Sequence, residues 1–81
     1  LEPPLYYYRD TDKKEIDLLL VEGNRITPIE IKKNKSPENA DKNFNVLNKF
    51  KMDIEPGVII CMSEELIPYK RNVWYCPVSL L

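Results

Sequence analysis

Asp17, Glu30 and Lys32, two carboxylates and an amine, are the residues of this chain whose types and spacing could do chemistry. A pair of acids suits a hard, oxygen-seeking cation such as Mg²⁺ or Mn²⁺, which keeps several waters when only one or two carboxylates hold it. On that reading Asp17 and Glu30 coordinate the ion, and the carbonyl of Ile31 adds a neutral oxygen. Lys32 orients or helps deprotonate an attacking water and offsets charge on a phosphate. Hydrolysis of a phosphodiester is the reaction such a set serves. Glu15 reads first as a salt-bridge partner for Lys32.

A hairpin must bring these residues together. The segment Glu15 to Val21 reads as a strand, Glu22-Gly23-Asn24-Arg25 as a tight turn and Ile26 to Lys32 as the returning strand. With Gly23 and Asn24 as the two-residue loop, Leu20 pairs with Thr27, Leu18 with Ile29, Asp17 with Glu30 and Glu15 with Lys32. Like charges placed directly opposite on a hairpin are destabilising, which calls for something positive between them. The opposite parity supplies Ile16, Leu18, Leu20, Ile29 and Ile31, a face suited to burial against a helix, so the acids are expected on the other, open face.

Around the hairpin, Leu5 to Arg9 reads as a strand that completes a meander. Ser36 is a good N-cap and Pro37 suits a first helical position, so a helix is expected from about Pro37 to about Phe50, with Ala40, Phe44, Leu47 and either Phe50 or the stem of Lys51 as its buried stripe. Pro56-Gly57 punctuates before a continuous apolar strand, Val58 to Met62, a loop through Ser63 to Pro68 follows, and Val73 to Cys76 is the closing strand. The expected class is α/β, in the order βββαββ.

Composition narrows the chemistry. With no histidine, the chain cannot build His-activated nucleophiles or the usual zinc sites, and two glycines are too few for a phosphate-cradling loop or a dinucleotide fingerprint. The net charge of −1 is not that of a generic polyanion binder. Locally, Lys32, Lys33, Lys35, Lys42, Lys49 and Lys51 outnumber Glu38 and Asp41, and directly after the acid pair Lys33 and Lys35 suit a phosphate backbone. Cys61 and Cys76 lie in apolar runs and read as free thiols of a reducing compartment, and no apolar run approaches a membrane span, so the expected location is cytoplasmic, with no membrane partner. The 81 residues are one domain at most, 1–81, and the start Leu1-Glu2-Pro3-Pro4 without an initiating Met reads as a truncated piece of a longer protein.

Asp17 followed by Glu30-Ile31-Lys32 resembles the PD-(D/E)XK nuclease-like motif, an acid on one strand facing Glu-x-Lys on the next. More closely, Tyr7-Tyr8-Arg9, Lys14 to Leu19, Pro28 to Lys32 and Val73 to Val78 look like the C-terminal domain of unknown function attached to archaeal and bacterial AAA-type ATPases. The resemblance implies a restriction-endonuclease-like core, with the usual first helix missing. It also implies a parent ATPase module and nucleic acid, DNA first, as partners. Without the first helix an apolar surface stays open, on which the isolated chain could form a homodimer.

Two functions follow from different classes: a Mg²⁺-dependent nuclease, and a catalytically inactive module of the same fold that binds DNA or a partner protein. A third reading makes Asp17, Glu30 and Lys32 an ion-pair cluster on a solvated sheet.

Overall fold

The computed structural model describes residues 4–80. Leu1-Glu2-Pro3, read above as an incoming segment, and Leu81 lie outside the described residues. The hairpin forms in the expected register: β2 (Glu15–Glu22) pairs antiparallel with β3 (Arg25–Ile31), with Leu18 opposite Ile29 and Leu20 opposite Thr27. Gly23 takes a φ of +60° at the first position of the loop, a conformation that glycine reaches without a Cβ clash. β1 (Leu5–Arg9) completes the meander on the far side of β2.

One extra residue breaks the alternation of β2. Tyr6 pairs with Leu19 but Tyr8 with Ile16, so two steps along β1 match three along β2, and the bulge falls at Asp17-Leu18. Ile16 is thereby turned to the same side as Leu19, and both are buried. Strict alternation had placed Ile16 with Leu18 and Leu20.

From β3 onward the sheet becomes parallel. β4 (Asp53–Ile54) and β5 (Gly57–Cys61) both pair with β3, β7 (Val73–Pro77) follows parallel to β5, and β6 (Ile67–Lys70) closes the far edge antiparallel to β7. The result is a mixed sheet of seven strands, ordered β1-β2-β3-β5-β7-β6, with β4 beside the start of β3. β6 comes from the segment read in the sequence largely as a loop.

The expected helix over 37–50 does not form, and no α-helix occurs among the described residues. Turns lead instead to a short 3-10 helix, Phe44–Lys49, and a second one, Val78–Leu80, follows β7. The reason lies in side chains that compete with the helical backbone: Asn39, Asp41, Asn43, Asn45 and Asn48 crowd this stretch, and Asn39 adopts a φ of +57°. Most of the stripe expected of the helix still does its work, because Ala40, Phe44 and Leu47 are buried, whereas Phe50 and Lys51 at its end are exposed. Phe44 lies directly over Gly57, where an added Cβ would run into the ring.

That covering segment decides which face of the sheet is the core. Across the strands, Glu30, Ile59 and Tyr75 form one paired row beneath it, with Ile26, Pro28 and Cys61 buried on the same side. Leu18, Ile29, Val58, Trp74 and Pro68 form the corresponding row on the opposite face. This second face, expected to be the buried one, is only half-buried or exposed, and the acid-bearing face is the covered one. Both faces of β3 are apolar enough for either outcome, and the path of residues 36–50 settles it.

Replacing Gly57 by Ala should cost about 1–3 kcal/mol, the usual price of overpacking, because the Phe44 ring must move. Denaturant unfolding should show the loss, and Phe44→Leu in the same chain should recover part of it.

Candidate active site

Asp17 and Glu30 meet where the β2–β3 ladder stops. Beyond the pair Leu18–Ile29, the strands are joined by side chains: the Asp17 amide donates to Glu30 Oε1 at 3.0 Å, and the Ile31 amide donates to Asp17 Oδ2 at 2.9 Å. Each acid thus takes up a backbone N–H that the bulge would otherwise leave without its ladder partner. The sequence places these two residues opposite each other, and the structure joins them through the Asp17 amide's bond to Glu30.

Glu30 is 8% exposed, whereas Asp17 is exposed at the rim. Burial pushes the Glu30 carboxyl above its ordinary value; the Asp17 amide works against the rise, the Asp17 charge adds to it, and Lys32 opposes it. Lys32, exposed and just past the end of β3, holds its Nζ 4.0 Å from Glu30 Oε2, and its amide continues the parallel pairing by donating to the Ile60 carbonyl. The expected Glu15–Lys32 salt bridge is replaced by Arg9–Glu15 at 3.3 Å, since β1 brings Arg9 directly opposite Glu15. Ile31 contributes its amide to the pair, and its side chain is exposed.

Lys33 and Lys35 are exposed on the bend that leaves β3, next to the lysine of the site. The bend is pinned to the end of β5, because the Met62 amide donates to the Asn34 carbonyl at 2.8 Å. Lys35 and Ser36 form one wall of an open groove of about 380 Å³, and Ser63, Glu64, Glu65 and Ile67 form the rest. The groove lies at the carboxyl ends of β3 and β5, the end of a parallel sheet where ligands commonly sit.

Sequence reasoning missed two residues that fix the site from the covering segment. Asn43 Nδ2 donates to the Glu15 carbonyl at 3.0 Å, and Lys49 Nζ donates to the Tyr8 hydroxyl at 2.6 Å, which in turn donates to Asp10 Oδ2 at 3.0 Å. They hold β2 and its neighbour β1 beside the bulge. Lys49 had been counted with the basic run; only its packing on Tyr8 shows that it is engaged elsewhere, and no signal in the sequence marks this.

Among the described residues no group of three or more His, Cys, Asp or Glu side chains gathers as a metal site would require of protein ligands alone. Both cysteines are free. No helix among the described residues is long and apolar enough to cross a membrane.

Fold and site together define a mixed β-sheet domain with a buried glutamate, an aspartate and a lysine gathered at the open end of a hairpin. Over residues 1–81 the chain matches the family model described as a domain of unknown function, DUF4143, and it belongs to that family. No curated protein and no solved structure matches it.

A carboxyl whose pKa is higher folded than unfolded stabilises the fold below its unfolded pKa and loses that contribution as pH rises through the folded value. For Glu30 the loss begins above about pH 4.3, the ordinary glutamate value, and continues through its raised folded one. In metal-free buffer, Glu30→Gln should flatten this part of the stability–pH curve and be more stable than the parent at neutral pH. Denaturant melts of both proteins at a series of pH values measure it.

Proposed function

We propose that this chain is a nuclease-like domain that uses Mg²⁺ or Mn²⁺ to act on nucleic acid phosphodiesters, on a restriction-endonuclease-like PD-(D/E)XK scaffold joined to an AAA-type ATPase module of its parent chain. One observation carries the reading: a nearly buried glutamate shares its place with an aspartate, and the lysine facing them stands 4.0 Å away. Two carboxylates so poorly offset are a standing electrostatic cost that a divalent cation would relieve.

The donor set fits such an ion. Asp17 commits Oδ2 to Ile31, and Glu30 commits Oε1 to Asp17, so Asp17 Oδ1 and Glu30 Oε2 are the oxygens to offer. The Ile31 carbonyl would add a third. A cation held there supplies Lewis-acid stabilisation of phosphate charge and a more acidic water. Lys32 then orients the water and balances the phosphate, while Lys33 and Lys35 hold the backbone in position. These two backbone bonds keep both acids in place before any ligand arrives, so little ordering is left for the moment of binding.

The same bonds favour a second reading. Because each acid replaces a ladder bond, the pair has a structural use that survives loss of catalysis, and the domain would then be a module that binds DNA or a partner protein through its exposed lysines.

Calorimetric titration with Mg²⁺ and Mn²⁺ tests the first reading. Binding should be seen with the parent chain and fall by tenfold or more in Asp17→Asn and Glu30→Gln; binding that ignores both substitutions defeats it. For the lysines, Lys33→Glu with Lys35→Glu should abolish retention of a DNA duplex in a mobility-shift assay. That loss without any cleavage by the full-length parent would select the binding module.

A further inference from the structure

A second cleft, of about 350 Å³, opens at the amino ends of β5 and β7, and no residue of the acid pair lines it. Its floor is apolar. Gly57 and Val73 are paired neighbours, Pro28 stands at the same level of β3, one residue before the pair Ile29–Val58, and the Phe44 ring closes one side. Three carboxamides rim this floor. Asn45 and Asn48 lie three residues apart on the 3-10 helix Phe44–Lys49, so they stand in line about 6 Å apart. Asn72 lines the β7 side, its carbonyl bonded to the Gly57 amide at 2.7 Å. All three are exposed, and among the described residues no hydrogen bond occupies their side chains. Glu55 is the one charged residue of the lining; its Oε1 stands 3.9 Å from Arg25, which leaves Oε2 open. An apolar floor with a few polar groups around it, at this volume, has the form of a small-ligand site.

We propose that this cleft takes an unpaired nucleobase that carries an exocyclic amine, adenine first. Charge narrows the choice: with a carboxylate and no lysine or arginine in the lining, the cleft disfavours anions, so the group that enters is uncharged. Each carboxamide offers donors beside an acceptor. That pattern complements the amine and the adjacent ring nitrogen of adenine, which an asparagine side chain grips with two bonds. Glu55 can only accept, so it favours an amine over the carbonyl that uracil and thymine carry at the same place. The floor crosses three strands about 4.8 Å apart, about 10 Å in all, enough to bury the face of a two-ring base with an aromatic ring beside it. The base belongs either to a free nucleoside or to an unpaired nucleotide of a strand. Its chemistry at the cleft is the same in both.

Two-dimensional NMR of the side-chain amides reads the cleft directly, because it reports Asn45, Asn48 and Asn72 one by one. Adenosine should move these three signals, with saturation below about 1 mM, and uridine should bind at least tenfold more weakly. Asn45→Ala with Asn48→Ala, both at exposed positions, should weaken adenosine binding tenfold or more while the far-ultraviolet circular dichroism is unchanged. Should that pair disturb the fold, Asn72→Ser reads the same loss from the other side of the cleft. A single-stranded oligodeoxyadenylate identifies the source of the base: tighter binding than adenosine at the same three signals assigns a strand, and equal or weaker binding assigns a free nucleoside. Signals that saturate with neither probe, equal affinity for uridine, or binding indifferent to the asparagine substitutions overturns the proposal. Mg²⁺ titration of the same variants should match the parent chain, so failure at this cleft and failure of the cation site at Asp17 and Glu30 are read separately.

Discussion

The capture of two backbone amides by the Asp17 and Glu30 carboxylates is the constraint on which this structure turns. A bulge in β2 ends the regular ladder, and two backbone amides at that point need acceptors. Carboxylates provide them, Glu30 for the Asp17 amide and Asp17 for that of Ile31. Bonds to an ionised acceptor are stronger than those between neutral amides, so the hairpin stays closed through its irregular part. Burial of Glu30 is the cost, expressed in the upward shift of its carboxyl.

Everything packed on that side supports the arrangement. The segment after β3 crosses the acid-bearing face and sets Phe44 on Gly57 and Leu47 into the core. It reaches back to β2 through Asn43 and to β1 through Lys49. Parallel pairing of β3 with β5 then fixes the exit of Lys32, Lys33 and Lys35, so that the basic bend begins where the acids end. The site is built on strands and held by several separate contacts.

Much of this is legible from residue types. The two-residue loop at Gly23-Asn24 and the parity of hydrophobic residues gave the register, and with it the meeting of Asp17 and Glu30. What could not be read is which face would be covered, because Ile29 and Ile31 on one side and Ile26 and Pro28 on the other are equally suited to burial. The bulge was hidden for a related reason: its signature is a mismatch between two strands, and no single strand displays it. The missing helix illustrates how spacing and propensity can disagree. Ala40, Phe44 and Leu47 recur with a helical period, yet the asparagines and aspartate between them prefer turns, and tight turns bury the same three side chains.

The order of the strands bears on how the chain assembles. β2 and β3 are separated by two residues, whereas β3 and β5 are joined only after a loop of 25 residues closes, and β5 and β7 after another that contains β6. Closure entropy grows with loop length, and pairings distant in sequence come late in folding. Topology therefore favours the meander as the earliest unit, and the meander already contains both acids and the bulge. The acid pair is thus local in sequence, and the parallel half of the sheet grows onto it.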